Sequence, residues 1–304
     1  MTSMTDDKIL NVFIQYVEKT GRLPWDNGLV EGLELVGGIG ASGRAYTGFN
    51  ALLTAMAIAI GEYDSRQFLT FAEIKKRGGS VKKGSSAWVI TSAVFKYFNE
   101  DGKQITEKEA KELKAKDESV TSKFCGYHVF PVFNLAQTTL EYKHEERINV
   151  ASLPSNVDTT AEQLVEAYRN KPAIKFGLGT PHYSPMADEV VVPPSNAYKS
   201  KERYYSTLYH ELVHSTGHKD RLARTFAKKH GDATYAKEEL VAEIGASMLC
   251  NKAGLDPDKY LDNSGAYVQS WIQSATTNDK FGQEIITAWK NAQKAVHYML
   301  GETA

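Results

Sequence analysis

Apolar side chains return every three or four positions over residues 6–20, where Ile9, Phe13, Tyr16 and Val17 share one face until Gly21 and Pro24 break the pattern. That spacing predicts an amphipathic first helix. After a glycine-rich stretch, GGIGASG at 37–43, the positions Phe49, Leu52, Leu53, Met56 and Ile60 repeat the period up to Gly61 and predict a second, largely buried helix. Thr70 and Glu73 form a capping-box pair ahead of a short helix that stops at Gly78 and Gly79. Val81, the triplet Trp88–Val89–Ile90 and the run 94–98 then read as strands. Between Glu100 and Lys123 the chain turns to Lys, Glu and Asp with few apolar positions, the pattern of a solvated insert. VFPVF at 129–133 resumes the sheet, and Pro131, lacking an N–H, places that strand at an edge or a bulge.

Residues 141–160 are polar and contain Pro154 and Ser155, so a linker is expected there, with a boundary near 150. Beyond it the pattern predicts a helix over about 161–170 capped by Thr160 with Gln163. Short strands follow at 173–176, 181–184 and 189–192, then helices at about 202–216, 236–251, 264–275 and 281–299. The second half is a small sheet followed by helices, and the fold class is α+β. With 304 residues the chain is long enough for two domains, expected over 1–150 and 151–304.

Composition narrows the setting. Hydrophobic residues at 42% and charged residues at 24% are the mixture of a folded globular protein. A net charge of -1 supplies no global attraction for nucleic acid, so any such site is local. Cys125 and Cys250 stand far apart without metal or disulfide spacing. The first ten residues carry no signal-peptide pattern, and no apolar run is long enough to span a bilayer, so a cytoplasmic, non-membrane protein is expected.

The sharpest chemical signal is His210-Glu211-Leu212-Val213-His214. On a helix the two imidazoles lie one turn apart on one face, and Glu211 stands one step round, in place to act as a general base. A catalytic zinc needs a third protein ligand and an open position. Glu239 is the preferred third ligand, because Glu239 and Glu243 fall on one helical face with Ala242 and Ala246 beside them, letting two helices approach closely. Glu243 would accept a hydrogen bond from a ligand imidazole. Asp220, ten residues after His210, is the alternative ligand, and His218 has less favourable spacing. Metal-assisted hydrolysis of a carbonyl compound follows, with Glu211 taking a proton from water. Tyr183, His182, Tyr235 and His218 are candidates for an added oxyanion donor, and residues 181–193 offer an edge strand for an extended peptide or an ordinary hairpin beneath the helix. A His/His/Glu set suits Zn2+ and also accepts manganese, cobalt or nickel.

Residues 44–98 hold eight Lys or Arg against three acids, although residues 1–150 balance at 19 of each sign. Arg44, Lys82 and Lys83 are candidates for phosphate contacts, and Tyr46, Phe68, Trp88 and Tyr97 for stacking on unpaired bases, with Asn50 a further candidate contact. The competing reading makes the aromatics core and the lysines a solvated face.

Taken together, SGRAYTGFNALL (42–53), LTFAEIKKRGGSVKKGSSAWVI (69–90), FPVFNLAQT (130–138), YSPMADEVVVPP (183–194), YYSTLYHELVHSTGHKDRL (204–222), EELVAEIGASML (238–249) and AYVQSW (266–271) resemble the ArdC antirestriction family over nearly the whole chain. The first half also resembles the N-terminal region of plasmid-encoded DNA primases. The resemblance implies a mixed α/β N-terminal domain binding single-stranded DNA and a C-terminal zincin-like, gluzincin-type metallopeptidase domain. It implies a protein of conjugative plasmids and related elements that protects incoming DNA from restriction, and a protein substrate such as a restriction component. The family's metal motif falls on His210, Glu211 and His214, and its acidic helix on Glu239 and Glu243. The alternative is a non-proteolytic single-strand-binding protein whose metal is structural.

Overall fold

In the computed structural model, residues 4–26, 30–31, 34–35, 37–142, 157–225, 233–260 and 265–302 are described. The first helix, α1 (Met4–Thr20), buries Ile9, Phe13, Tyr16 and Val17 as its periodicity requires. Two-residue strands β1 (Val30–Glu31) and β2 (Glu34–Leu35) pair ahead of α2 (Gly48–Gly61), which buries nearly its whole first two turns. Next come β3 (Phe68–Leu69) and α3 (Phe71–Lys76), where both bonds of the Thr70–Glu73 capping box are present. What reads as separate strands around residues 88–98 is one strand, β4 (Trp88–Phe98).

The charged segment is not merely a solvated insert. It contains β5 (Gln104–Ile105) and α4 (Glu107–Lys114), started by a second capping box between Thr106 and Glu109 and anchored by Ala110, which is 1% exposed. Its lysines and glutamates occupy the outward face, with the i,i+4 pair Glu107–Lys111 at 2.6 Å. The chain returns as β6 (Thr121–Asn134), giving a four-stranded antiparallel sheet in the order β3-β6-β4-β5. Cys125 is an extra residue between Phe124 and Gly126, opposite Val94 and Phe95, and the bulge is made where Gly126 takes a φ of 128°. Pro131 pairs with Val89 on one side, while β3 contacts only residues 133 and 134 on the other. Its missing N–H therefore falls on a locally open edge.

In the second half, α5 (Val157–Ala167) begins earlier than expected, so Thr160 lies inside the helix rather than at its cap. Strands β7 (Ala173–Phe176), β8 (His182–Ser184) and β9 (Glu189–Val192) form a sheet in the order β7-β9-β8, with β7 parallel to β9 and β8 antiparallel to it. Five helices follow: α6 (Lys201–Ser215), α7 (Ala233–Lys252), α8 (Pro257–Tyr260), α9 (Gly265–Thr276) and α10 (Phe281–Leu300). No described helix is long and apolar enough to cross a membrane.

The boundary expected near 150 lies outside the described residues. Buried side chains on both sides of it form one contiguous core that runs from Ile9 to Met299. The ring of Phe13 packs against Trp25 and Phe49 of its own half and against Trp271 and Phe281 of the other, with centroids 5.5 to 6.3 Å apart. Asp6 of α1 accepts from the Gln283 N–H at 2.9 Å and so caps the first turn of α10. Ser247 of α7 donates to the Trp25 carbonyl at 2.6 Å.

Candidate metal centre

Helix α6 is started by Ser200, whose hydroxyl accepts from the Arg203 N–H. It is fixed by Leu208, Tyr209, Leu212 and Val213, all 2% exposed or less. Tyr209 also donates to the Ala161 carbonyl at 2.9 Å. With that face buried, His210 and His214 lie side by side at the helix edge. Helix α7 runs close by because Gly245 faces Val213: a Cβ at 245 would lie 2.9 Å from a Val213 methyl. The approach brings Glu239 to the histidine pair.

The Nε2 atoms of His210 and His214 are 3.1 Å apart. Glu239 places Oε2 3.4 Å from His210 Nε2 and Oε1 3.4 Å from His214 Nε2. Donor atoms held at zinc bond lengths and tetrahedral angles stand roughly 3.3 Å apart. An octahedral ion of similar size requires roughly 3 Å. The triangle of two imidazole nitrogens and a carboxylate fits a divalent cation of either kind, and the donor set favours borderline metals over calcium. Among the described residues it is the one group of three such side chains with ligand atoms within 4.8 Å of one another.

Electrostatics agree with the geometry. Burial disfavours a charged Glu239, yet hydrogen bonds from His210 and His214 hold its carboxyl well below the usual range. Burial likewise opposes a charged His214, but Glu238 and Glu239 outweigh it and raise that imidazole to about 9. Burial pushes the Glu211 carboxyl up, partly offset by His210 and His214, and a backbone hydrogen bond from Tyr183 reaches it from β8.

His214 is braced from behind. Its Nδ1 lies 3.4 Å from Glu238 Oε1, and Arg224 grips that carboxylate with Nη2 to Oε1 at 2.7 Å and Nε to Oε2 at 3.0 Å. Arg224 also donates to the Thr216 hydroxyl at 2.7 Å and the Val213 carbonyl at 2.8 Å. Each of these two charged side chains is 9% exposed. Replacing Arg224 with Ala leaves the Glu238 carboxylate buried without its cation and is expected to cost about 3–5 kcal/mol by chemical denaturation. Metal affinity should fall roughly 10- to 100-fold as His214 loses its orienting partner. Glu238→Gln keeps the shape and one acceptor oxygen but leaves the Arg224 guanidinium buried without its anion, so it too is expected to be destabilising, with a smaller loss of metal affinity because His214 keeps a hydrogen-bond acceptor.

Glu238 and Arg224 are absent from the sequence reading, which assigned the bracing role to Glu243; Glu243 is half-buried on α7. Asp220 is not part of the cluster. It sits in the turn after α6 with its side chain 75% exposed and a carboxylate oxygen 3.6 Å from His218 Nδ1. The Tyr183 phenol, a candidate oxyanion donor, instead donates to Asp188 at 2.8 Å, and Asp188 is held by two 2.7 Å bonds from Arg221. Arg221 also donates to the Ser215 carbonyl, tying the β8–β9 turn to the end of α6. His182 is exposed beside the Thr180 carbonyl, and the Tyr235 side chain lies outside the described residues. β8 is an edge strand, as residues 181–193 suggest, and it packs against α6.

The candidate DNA contacts divide into two groups. Asn50 is structural: its amide receives the Thr91 N–H at 2.8 Å and donates to the Thr91 carbonyl at 2.8 Å, closing the side of β4 that faces away from β6. Trp88 donates to the Tyr63 hydroxyl at 3.0 Å and packs into the core, and Tyr46 is half-buried against Phe68 and Val132. Arg44 and Lys83 are exposed, and Lys82, also exposed, donates to the Ala136 carbonyl at 2.9 Å.

A helix bearing two histidines and a glutamate, a second helix returning a carboxylate, and a small sheet whose edge strand packs beside them define a zincin-like metallopeptidase domain, and that family's profile matches residues 159–290. Residues 4–133 match the N-terminal domain of anti-restriction factor ArdC. The chain belongs to the ArdC antirestriction family. The Mn(II)-bound crystal structure of the antirestriction ArdC protein from plasmid R388 is 28% identical and superposes with a TM-score of 0.62 over 98% of this chain and 96% of that one. Its metal-free form is 26% identical over 99% and 98% of the two chains, with a TM-score of 0.60. A DNA primase TraC of Escherichia coli is 30% identical over 270 residues; the match covers 85% of this chain but only 17% of the primase.

Proposed function

We propose that this chain is an antirestriction protein that binds entering single-stranded DNA through its first half. In its second half it would hold a divalent cation at His210, His214 and Glu239 for hydrolysis of a peptide bond. The observation that carries the catalytic part is the donor triangle with a desolvated Glu211 beside it. Zinc is the proposed ion, and the Mn(II) held by the R388 relative supports a divalent metal in general. Such an ion, when bound, supplies acidified water and a polarised carbonyl. Glu211 takes the proton from the attacking water and passes it to the departing amine, a role served by a carboxyl whose pKa is raised toward neutrality. Glu238 orients His214 from behind, Glu243 braces the ligand set, and the free edge of β8 aligns an extended chain beside Glu211. The protein substrate would be a component of the restriction machinery met on the DNA, in the cytoplasm.

Metal titration tests the ligand set. Glu239→Ala is expected to lose tight zinc binding while Asp220→Ala retains it; the reverse result would move the third ligand to the turn. Ligation requires a neutral imidazole, so the metal must displace the proton that Glu238 and Glu239 stabilise on His214. Calorimetry in buffers of different ionisation enthalpy should show His214 releasing about one proton at neutral pH, falling away as pH rises through about 9. In the metal-free protein the sign is the same. With a raised pKa, protonated His214 contributes stability that is complete below its unfolded value near 6.5 and lost as pH rises through about 9.

A further inference from the structure

The inner half of the β4–β6 ribbon belongs to the core, where Val89 and Val129 are 8% and 9% exposed. Its outer half does not. Val94 and Phe95 on β4 are each 42% exposed, and Phe124 on β6 is 47% exposed. Phe95 and Phe124 are register partners, with ring centroids 5.7 Å apart. The row continues on the same face to Tyr97 beside Phe95 at 6.4 Å and to Tyr127 beside Phe124 at 5.1 Å. At its inner end Lys290 of α10 lies 4.7 Å over the Tyr127 ring and donates to its hydroxyl at 2.7 Å. Four rings in a line, two of them half in water, form a surface without a protein cover among the described residues.

Charge selects the occupant. Residues 88–98 and 121–134 contain Lys96 and Lys123 and not one Asp or Glu, in a chain with 37 acids. Lys96 and Lys123 are register partners, both are exposed, and neither has an ion-pair partner among the described residues. Aromatic faces with isolated cations and no anions are the combination that stacks unpaired bases and neutralises their phosphates. A protein-docking strand would not require the exclusion of acids.

We propose that the outer half of this ribbon is the stacking platform for single-stranded DNA, with Phe95 and Phe124 under the bases and Lys290 at the phosphates on that face, while Lys96 and Lys123, which alternate to the opposite face, add only to the positive potential around it. This rests on the DNA-binding reading above. It moves the contact surface away from Asn50, Trp88 and Tyr46, which are partly buried and packed or bonded within the fold.

The test is fluorescence anisotropy of the full chain with a labelled oligo(dT) strand at several salt concentrations. Phe95→Leu and Phe124→Leu keep apolar bulk without a π face and are expected to weaken binding about 5- to 150-fold for each ring removed, with an unchanged thermal midpoint and salt slope. Lys290→Ala is expected to flatten the logarithmic salt slope by about 0.7, and Lys96→Ala and Lys123→Ala, on the other face, by less than that. A duplex of the same sequence should be insensitive to the Phe changes, since its bases are already stacked. If the wild-type protein binds no oligo(dT), the DNA-binding reading falls and the platform with it. If it binds and the Phe pair binds equally well, the DNA reading stands and the platform is overturned. Equal weakening on duplex would also overturn base stacking and indicate an apolar surface for a protein partner.

Discussion

Glu211→Gln is expected to keep its metal and to slow hydrolysis about 10^2- to 10^4-fold, the usual contribution of a positioned acid–base group, with protection of incoming DNA lost alongside it. The change is isosteric, so the Leu208, Leu212 and Val213 packing that sets α6 is undisturbed. Glu211 is itself outside the triangle of donor atoms, and an amide there cannot accept a proton. Because burial already disfavours the charged carboxyl, the exchange should leave stability unchanged or slightly raised. Elemental analysis of purified protein, peptide hydrolysis, and survival of a plasmid transferred into a restricting host measure the three quantities. Full protection by a metal-loaded, hydrolytically inert variant would remove proteolysis as the working step and leave the ion a structural part of a DNA-binding protein.

Phe13→Ala is expected to destabilise the whole chain by about 3–5 kcal/mol, the cost of emptying a well-packed aromatic site. Phe13 is fully buried, and its ring meets Trp25 and Phe49 on one side and Trp271 and Phe281 on the other. The loss should therefore appear in a single denaturation transition seen alike by tryptophan fluorescence and by metal release. Two transitions, with only the first displaced, would mean that the halves unfold separately despite their shared core.

Much of this was legible in the residues because periodicity reports which face of a segment is buried. The six long helices α1, α2, α6, α7, α9 and α10 lie within a few residues of their expected spans. The histidine pair was legible for the same reason, since H-E-x-x-H fixes its geometry within one helix. Contacts between helices carry no such local mark. Glu238 stands directly before Glu239, and nothing in EELVAEIGA distinguishes an acid facing a histidine ring from one facing solvent until α6 and α7 are packed. Its partner Arg224 reaches back from beyond the helix end, where no period applies. Helix α4 carried an explicit signal, Thr106 three residues before Glu109, which charge composition masked. Thr160 offered a similar pair with Gln163 and lies within α5, because a capping pattern matters only where a helix begins. Asn50 was open to either a nucleotide contact or a packing role in the sequence, because its bonds to Thr91 join a helix to a strand 41 residues away and leave no local pattern.

Glycine at position 245 works as a spacer. Val213 beside it is buried, β-branched and thus nearly locked in rotation, so a single added methyl would have to be absorbed by moving one helix off the other. Glu239 rides on one of those helices and the imidazoles on the other. The spacing between the Glu239 oxygens and the imidazole nitrogens is in this way governed by a side chain that does not exist, almost two turns from the nearest donor, and selection for a tight donor triangle would act on a residue with no chemistry of its own.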